Sequence, residues 1–415
     1  MRSGIRSSLW AALCAIALLC GARAEGQPLD KRIPGLFGGV FKTSFFPTAM
    51  NQDLQQPLVA DRFRGLSAAL SQAHSQIPLP SASGAFRFEF DDDLDSYVRR
   101  DQSLGPTIAE RAQTLGARTW AFSTSYSRID FDTLEGEQLS NLRSSQPALT
   151  PALLDKLPPA DRMRSQDNTL DTKLNLNFGF DQFFVTAAYG VTDQIDASMS
   201  LAFGRVRMKA VADAEIRDPN GDGGAYFTVA QQGLVVGGSG PICSLDFRCA
   251  HDGFDVSKFG TGDLFLRSKW HFMDSDYADM AVAGVLSLPT GNADNYLGFH
   301  DPTFTPWFIA SKSFGRFSPH LNLGYAFRSG KDVSQAQWIA GGDVFAVKWL
   351  TLTGDFLGSH DDKRDGINDD VLQSAVGFKI NPIGQLVIAG TFQFPLNRDG
   401  LRADVIYSGQ IEYAF

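Results

Sequence analysis

The chain has 415 residues with 33 Phe and 40 Gly, and its 37 Lys and Arg face 46 Asp and Glu for a formal net charge of −9. An acidic chain is a poor match for nucleic-acid phosphates. Beyond the first 24 residues no apolar run reaches the ~18 residues of a membrane helix, which excludes a helical spanning protein but not a strand-built one.

Residues 1–24 read as a secretory signal peptide. Arg2 and Arg6 form a basic start, Leu9 to Cys20 an apolar run too short to span, and Ala22-Arg23-Ala24 a small-x-small cleavage site. Leu19 is too bulky for the residue before a lipidated cysteine. Removing Arg2, Arg6 and Arg23 takes the net charge from −9 to −12.

Residues 25–83 form a different segment, rich in proline (Pro28, Pro34, Pro47, Pro57, Pro78, Pro80). Phe63, Leu66, Leu70, Ala73 and Ile77 share one helical face. The segment is expected either to plug a barrel lumen or to extend into the periplasm.

From residue 84 to 415 the chain reads as a transmembrane, antiparallel, up-and-down β-barrel of 12–14 strands, an all-β fold. Its spans are ~10-residue alternating runs that a hydropathy window misses. Twelve runs alternate: 118–131, 173–191, 195–208, 262–272, 278–288, 302–313, 318–328, 337–347, 350–358, 371–380, 385–394 and the terminal 401–415. In the last, Leu401, Ala403, Val405, Tyr407, Ile411, Tyr413 and Phe415 make one greasy side. Tyr413 and Phe415 are expected to present the signal read by the barrel-assembly machinery. The stretch 83–93, "SGAFRFEFDDD", is also strand-like, and a partner around 106–113 would make fourteen. With Phe415 at the periplasm the connections sort cleanly. Links at 192–194, 273–277, 314–317, 348–349 and 381–385 are short, while those outside are long, above all 133–168 and 209–261, the pattern of bacterial barrels.

Candidate chemistry is sparse. Export favours a disulfide between Cys243 and Cys249 in the 209–261 loop. A zinc site with His251 lacks a fourth ligand. "DPNGDGG" (218–224) has calcium-loop spacing, but Val229 stands where a Glu is wanted. Asp361, Asp362, Asp365, Asp369 and Asp370 could share divalent cations with lipopolysaccharide, or form a solvated tip. No metal or cofactor is expected. Arg267, Lys269, His271, His320, Arg328, Asp355, Lys379, Arg402, Asp404 and Glu412 fall on the lumen wall by parity. They read as a hydrated conduit, a plug-docking surface, or an ion-pair network filling the barrel. Six His with no acid–Ser–His grouping give no case for an enzyme. In the outside link 133–168, Thr150 and Pro151 start a helix. Its Leu149, Leu153, Leu154 and Leu157 either form a greasy capture site at the barrel mouth or pack on a neighbouring loop.

Three stretches carry a resemblance: "YGVTDQID" (189–196), "LSLPTGNADNYLG" (286–298) and "FSPHLNLGYAF" (317–327), in that order before a terminal Phe. Over roughly 170–415 the chain resembles the outer-membrane transporter family named for the phenol meta-degradation pathway, itself similar to channels for fatty acids and aromatic hydrocarbons. "SLGPTIAERAQTLG" (103–116) resembles a stretch of related barrels and implies no chemistry. The resemblance implies an outer-membrane channel for small hydrophobic, aromatic or fatty-acid-like solutes, embedded in lipid and lipopolysaccharide. A structural or adhesive barrel is the alternative, and a lipid-modifying enzyme the more distant one.

Overall fold

A computed structural model describes residues 27–36, 103–147, 151–155, 159–217, 249–329, 333–362 and 370–415, with shorter pieces at 41–45, 52–55, 66, 69–70, 88–91, 96–99, 219, 227–231 and 234–235. Residues 1–24, read above as a signal peptide, lie outside the described residues.

The twelve alternating runs become twelve strands. These are β1 Trp120–Phe131, β2 Thr169–Gly190, β3 Ile195–Arg217, β4 Cys249–Met273, β5 Asp279–Leu288 and β6 Thr303–Ser311. They continue as β7 Phe317–Ala326, β8 Gln335–Val347, β9 Leu350–Asp361, β10 Asp370–Ile383, β11 Leu386–Pro395 and β12 Ile406–Ala414. Each pairs antiparallel with the next, and β12 pairs with β1 to close the ring. Mutual Trp120–Phe415 backbone bonds of 2.8 Å finish the seam. A closed barrel leaves no open strand edge facing lipid.

Alternation sorts the faces. On β12, Ile406, Gln410, Glu412 and Ala414 are buried, while Tyr407, Ile411 and Tyr413 point out. Trp120, Phe122, Tyr126, Trp270 and Phe272 add to this greasy exterior, and Phe415 stacks on Phe122 at 5.9 Å. Above it runs a charged band: the Tyr126 hydroxyl donates to Asp181 (2.7 Å), and Arg207 pairs with Asp130 (2.9 Å). Val376 lies midway along the outer face of β10. Val376→Lys should cost about 2–4 kcal/mol, the range for a cation at the bilayer midplane. Unfolding from lipid vesicles by urea checks this, and an unchanged midpoint would contradict the facing given to β10.

Three points settle or correct the sequence expectation. First, of the 12–14 strands expected, twelve form the ring. Phe88–Asp91 pairs with Ser96–Arg99 in a separate hairpin, and the stretch around 106–113 lies inside the ring instead of in its wall. Second, much of 209–261 is strand. β2, β3 and β4 run for 22, 23 and 25 residues, where ~9–11 cross a bilayer. At ~3.3 Å per residue they rise well beyond the lipid. The inner face of β3's outer half is Ala210, Ala212 and Ala214, too weakly apolar to advertise a strand. Third, the 133–168 link contains a strand, Leu142–Pro147, paired to the outer end of β2.

The projecting strands hold a dry core. Leu170, Leu174, Phe178, Phe180, Val206 and Met208 pack there with Leu29, Ile33, Leu36, Leu66 and Leu70 from the N-terminal segment. Residues 29–36 thus lie in the core above the membrane, and residues 103–119 reach the periplasmic end at Trp120 by way of the lumen.

Candidate functional site: a cavity between a lumenal plug and an inward-folded loop

Residues 103–117 cross the lumen as an irregular, buried segment. An unpaired backbone inside a protein needs partners, and the inner wall supplies them. The Leu104 N–H donates to the Thr351 hydroxyl (2.9 Å), and Glu110 N–H to Asn322 Oδ1 (2.7 Å). Asn322 Nδ2 returns a bond to the Glu110 carbonyl (3.0 Å), and Ala112 N–H donates to Ser311 Oγ (3.0 Å). Leu115 N–H donates to both Asp196 oxygens (3.1 Å).

Charges reinforce these contacts. Asp343 accepts from Ser103 Oγ and pairs with Arg111 at 3.1 Å, so one carboxylate ties two points of the segment. Arg267 pairs with Glu110. Lys269 Nζ donates to the carbonyls of Gln113 (2.6 Å) and Arg111 (3.3 Å) and lies 3.6 Å from Asp196. Between the polar anchors, Ile108 packs on Ile339, Leu357 and Ala375, and Ala112 on Ala281, Ala283 and Ile309. The segment is a plug.

Above the plug the 289–301 link folds inward. Asp263, 2% exposed, holds both its ends, accepting from Gly291 N–H (3.1 Å) and Phe299 N–H (2.9 Å). Asn292 caps a short turn by accepting from Asn295 N–H at 3.1 Å. Tyr296, in the left-handed region at φ 58°, is buried against Phe178. Asn295 Oδ1 accepts the Leu29 N–H at 3.2 Å, which joins this loop to the N-terminal segment.

A cavity of about 190 Å³ lies between plug and loop. Phe184, Phe265, Leu297, Phe299, Trp307 and Ile309 give it a largely apolar lining. Ile108 and Glu110 contribute from the plug, and Arg267, Asp263 and Arg328 stand at its polar side. Arg328 lies over the Phe299 ring, 4.6 Å from its centroid.

The wall residues expected from parity divide into two groups. Arg267, Lys269 and His271 are on β4, His320 on β7, Asp355 on β9, Lys379 on β10 and Glu412 on β12, all facing inward. His320 Nε2 meets Asp355 Oδ1 at 2.5 Å. Arg328 lies just beyond β7. Arg402 and Asp404 are set apart from the wall. β12 begins only at Ile406, and Leu401–Arg402 pairs with Thr133–Leu134 at the outer rim. There Arg402 donates to Asn397 Oδ1 (2.5 Å) and the Leu372 carbonyl. Burial lowers its pKa to about 10, with Asp399 and Glu135 acting the other way. Asp404 is exposed.

Leu154, on the short helix Pro151–Leu154, is half-buried against the outer core. Leu153 is on the same helix, while Leu149 and Leu157 lie outside the described residues. So do Cys243 and most of 218–224; Cys249 opens β4. Among the described residues no cluster of three or more His, Cys, Asp or Glu is placed to hold a metal.

No protein-family model matches the chain, and no curated protein matches it. Among solved structures it is similar to an outer-membrane channel from Pseudomonas putida F1, at 12% identity over 73% of this chain and 98% of that one, TM-score 0.44. It is also similar to a FadL homologue of Pseudomonas aeruginosa (11% identity, 72% and 90% covered, TM-score 0.33). A third is the toluene transporter TbuX of Ralstonia pickettii (12% identity, 72% and 89% covered, TM-score 0.32). Identities and TM-scores this low say nothing about the solute of this chain.

Sequence reasoning missed Ser103, Glu110, Arg111, Asp263, Asn322 and Asp343. The available signal was the stretch 103–116 itself, where Glu110 and Arg111 follow Gly105-Pro106 by a few residues without strand alternation.

Proposed function

We propose that this chain is a bacterial outer-membrane channel for small hydrophobic solutes, aromatic or fatty-acid-like. The observation that carries the reading is the apolar cavity enclosed within a closed transmembrane barrel, between the plug and the inward-folded loop. Ligand pockets are apolar concavities with few polar groups, and Phe184, Phe265, Phe299 and Trp307 supply ring faces while Glu110 and Arg267 neutralise each other at its floor. No residue in this reading performs covalent chemistry.

The wall beside the cavity offers a way out. Phe304 and Phe327 exchange backbone bonds (3.2 and 2.9 Å) between β6 and β7. Two residues along β6 stands Pro306, where the alternation of an antiparallel ladder puts the next N–H toward β7. Proline has none, and the regular pairing resumes only at Trp307↔Gly324. Thr305, Trp307 and Ala326 flank this weak point and line the cavity. An apolar solute leaving here enters the bilayer without crossing the plug. Pro306→Ala, which restores a donor, is expected to slow uptake several-fold without weakening the barrel.

The alternative of a structural barrel has one observation in its favour: the dry outer core lies over the mouth. Uptake of toluene and of a medium-chain fatty acid by a deletion strain decides between them. The parent gene should restore uptake, and Val285→Trp, which fills the cavity, should not. Equal uptake with and without the gene would leave the structural barrel as the account.

A further inference from the structure

The plug is anchored toward one side. Its bonds named above run to β3, β4 and β6 through β9. On the other side Thr107 and Ile108 face β11, β12 and β1 across a second, smaller cavity of about 40 Å³. Those strands present Ser125 and Ser127, Thr391 and Gln393, and Ser408 and Gln410 to it. The lining is uncharged hydroxyl and amide, unlike the anchored side with its carboxylates, guanidinium groups and ammonium.

The trough is built to hold polar guests. Gln393 is 2% exposed and Gln410 8%, yet Gln393 Oε1 and Gln410 Nε2 have no hydrogen-bond partner among the described residues. Leaving a buried polar atom unpaired costs about 1–3 kcal/mol, and buried water commonly meets such atoms where the space exceeds about one probe sphere, ~10–15 Å³. Ser127 Oγ and Ser408 Oγ lie 2.8 Å apart, giving a further donor and acceptor pair beside the amides. Within the trough itself an ion would lose its hydration without meeting a counter-charge, the nearest inward charges being Glu412 opposite Ser123 and Lys379 opposite Ala389 toward the periplasmic end; a neutral hydrogen-bonding solute would not. At the upper end Ile108 lines both cavities and separates them. At the lower end Ser123, the next inward residue of β1 toward the periplasm, is only half-buried.

We propose that this trough is a passage for water and small uncharged polar solutes of the glycerol and urea class, running past the seated plug and joined to the upper cavity by rotation of the Ile108 side chain. It needs no displacement of the plug backbone at 103–117 and does not depend on uptake of hydrophobic solutes through the larger cavity. The test is swelling of proteoliposomes holding the full mature chain, in glycerol, urea and potassium chloride gradients. The parent should swell several-fold faster than protein-free vesicles in glycerol and urea, and at the protein-free rate in potassium chloride. Ser127→Trp, which fills the trough, should return the neutral solutes to the protein-free rate, with the unboiled gel band confirming a folded barrel. Gln393→Leu with Gln410→Leu keeps the volume, removes the amides, and should also slow both. Parent vesicles that swell no faster than protein-free ones would overturn the proposal, as would swelling that both sets of variants leave unchanged. Swelling as fast in potassium chloride as in glycerol would overturn it equally, since that describes an ion-passing pore.

Discussion

A barrel carrying Asp343→Ala is expected to assemble and yet to show larger and longer conductance steps in planar bilayers than the parent. Asp343 is fully buried and holds Ser103 and Arg111 together. Removing one partner of a buried ion pair costs about 3–5 kcal/mol, because the other charge is left uncompensated. Arginine does not escape by losing its proton. The loss falls on the plug, since the ring is held by backbone ladders to which the Asp343 side chain contributes nothing. Asp343→Asn keeps an acceptor for Ser103 and should lie between the two. Steps identical to the parent's would mean that this carboxylate does not hold the plug.

Gly190→Val should nearly abolish the folded barrel. Gly190 ends β2, where the plug joins the wall. Its N–H donates to the Thr119 carbonyl (2.9 Å), and its own carbonyl accepts from Arg118 (2.7 Å). A Cβ at this position would stand 1.7 Å from the Gly116 carbonyl oxygen. Gly116 itself has φ 92°, a conformation that glycine holds without strain. Overpacking typically costs about 1–3 kcal/mol and more where backbone must move; here both groups are backbone. The check is the fraction of protein that migrates as a compact band before boiling, with Gly190→Ala as a milder step. A full-strength compact band from Gly190→Val would contradict the approach of the two glycines.

The wall was legible in the sequence because lipid demands bulk on one face. Runs such as Leu321, Leu323, Tyr325 and Phe327 repeat that demand strand after strand. Legibility ended where the exterior is water. The outer half of β3 sets Ala210, Ala212 and Ala214 against charged neighbours, a weak contrast that reads as loop. The parity of the last strand also ran too far, carrying Arg402 and Asp404 into the wall when the chain bends at the rim before Ile406. Alternation marked Lys269, His320 and Lys379 as inward, but it names a face and not a partner. The plug was hidden for the same reason. Many of its contacts are side chain to backbone between residues far apart in sequence, as between Asn322 and Glu110, and no local period records them.

In the proposed function an apolar solute resides in the barrel between plug and loop. A photoactivatable monoaromatic, an aryl diazirine, added to outer-membrane vesicles and mapped by mass spectrometry tests it most directly. Labels are expected on Phe265, Trp307 and Ile339, inside the cavity, lost on addition of excess toluene and in Val285→Trp. Labels confined to lipid-facing residues such as Leu352 and Phe356, with the cavity residues untouched, would contradict it.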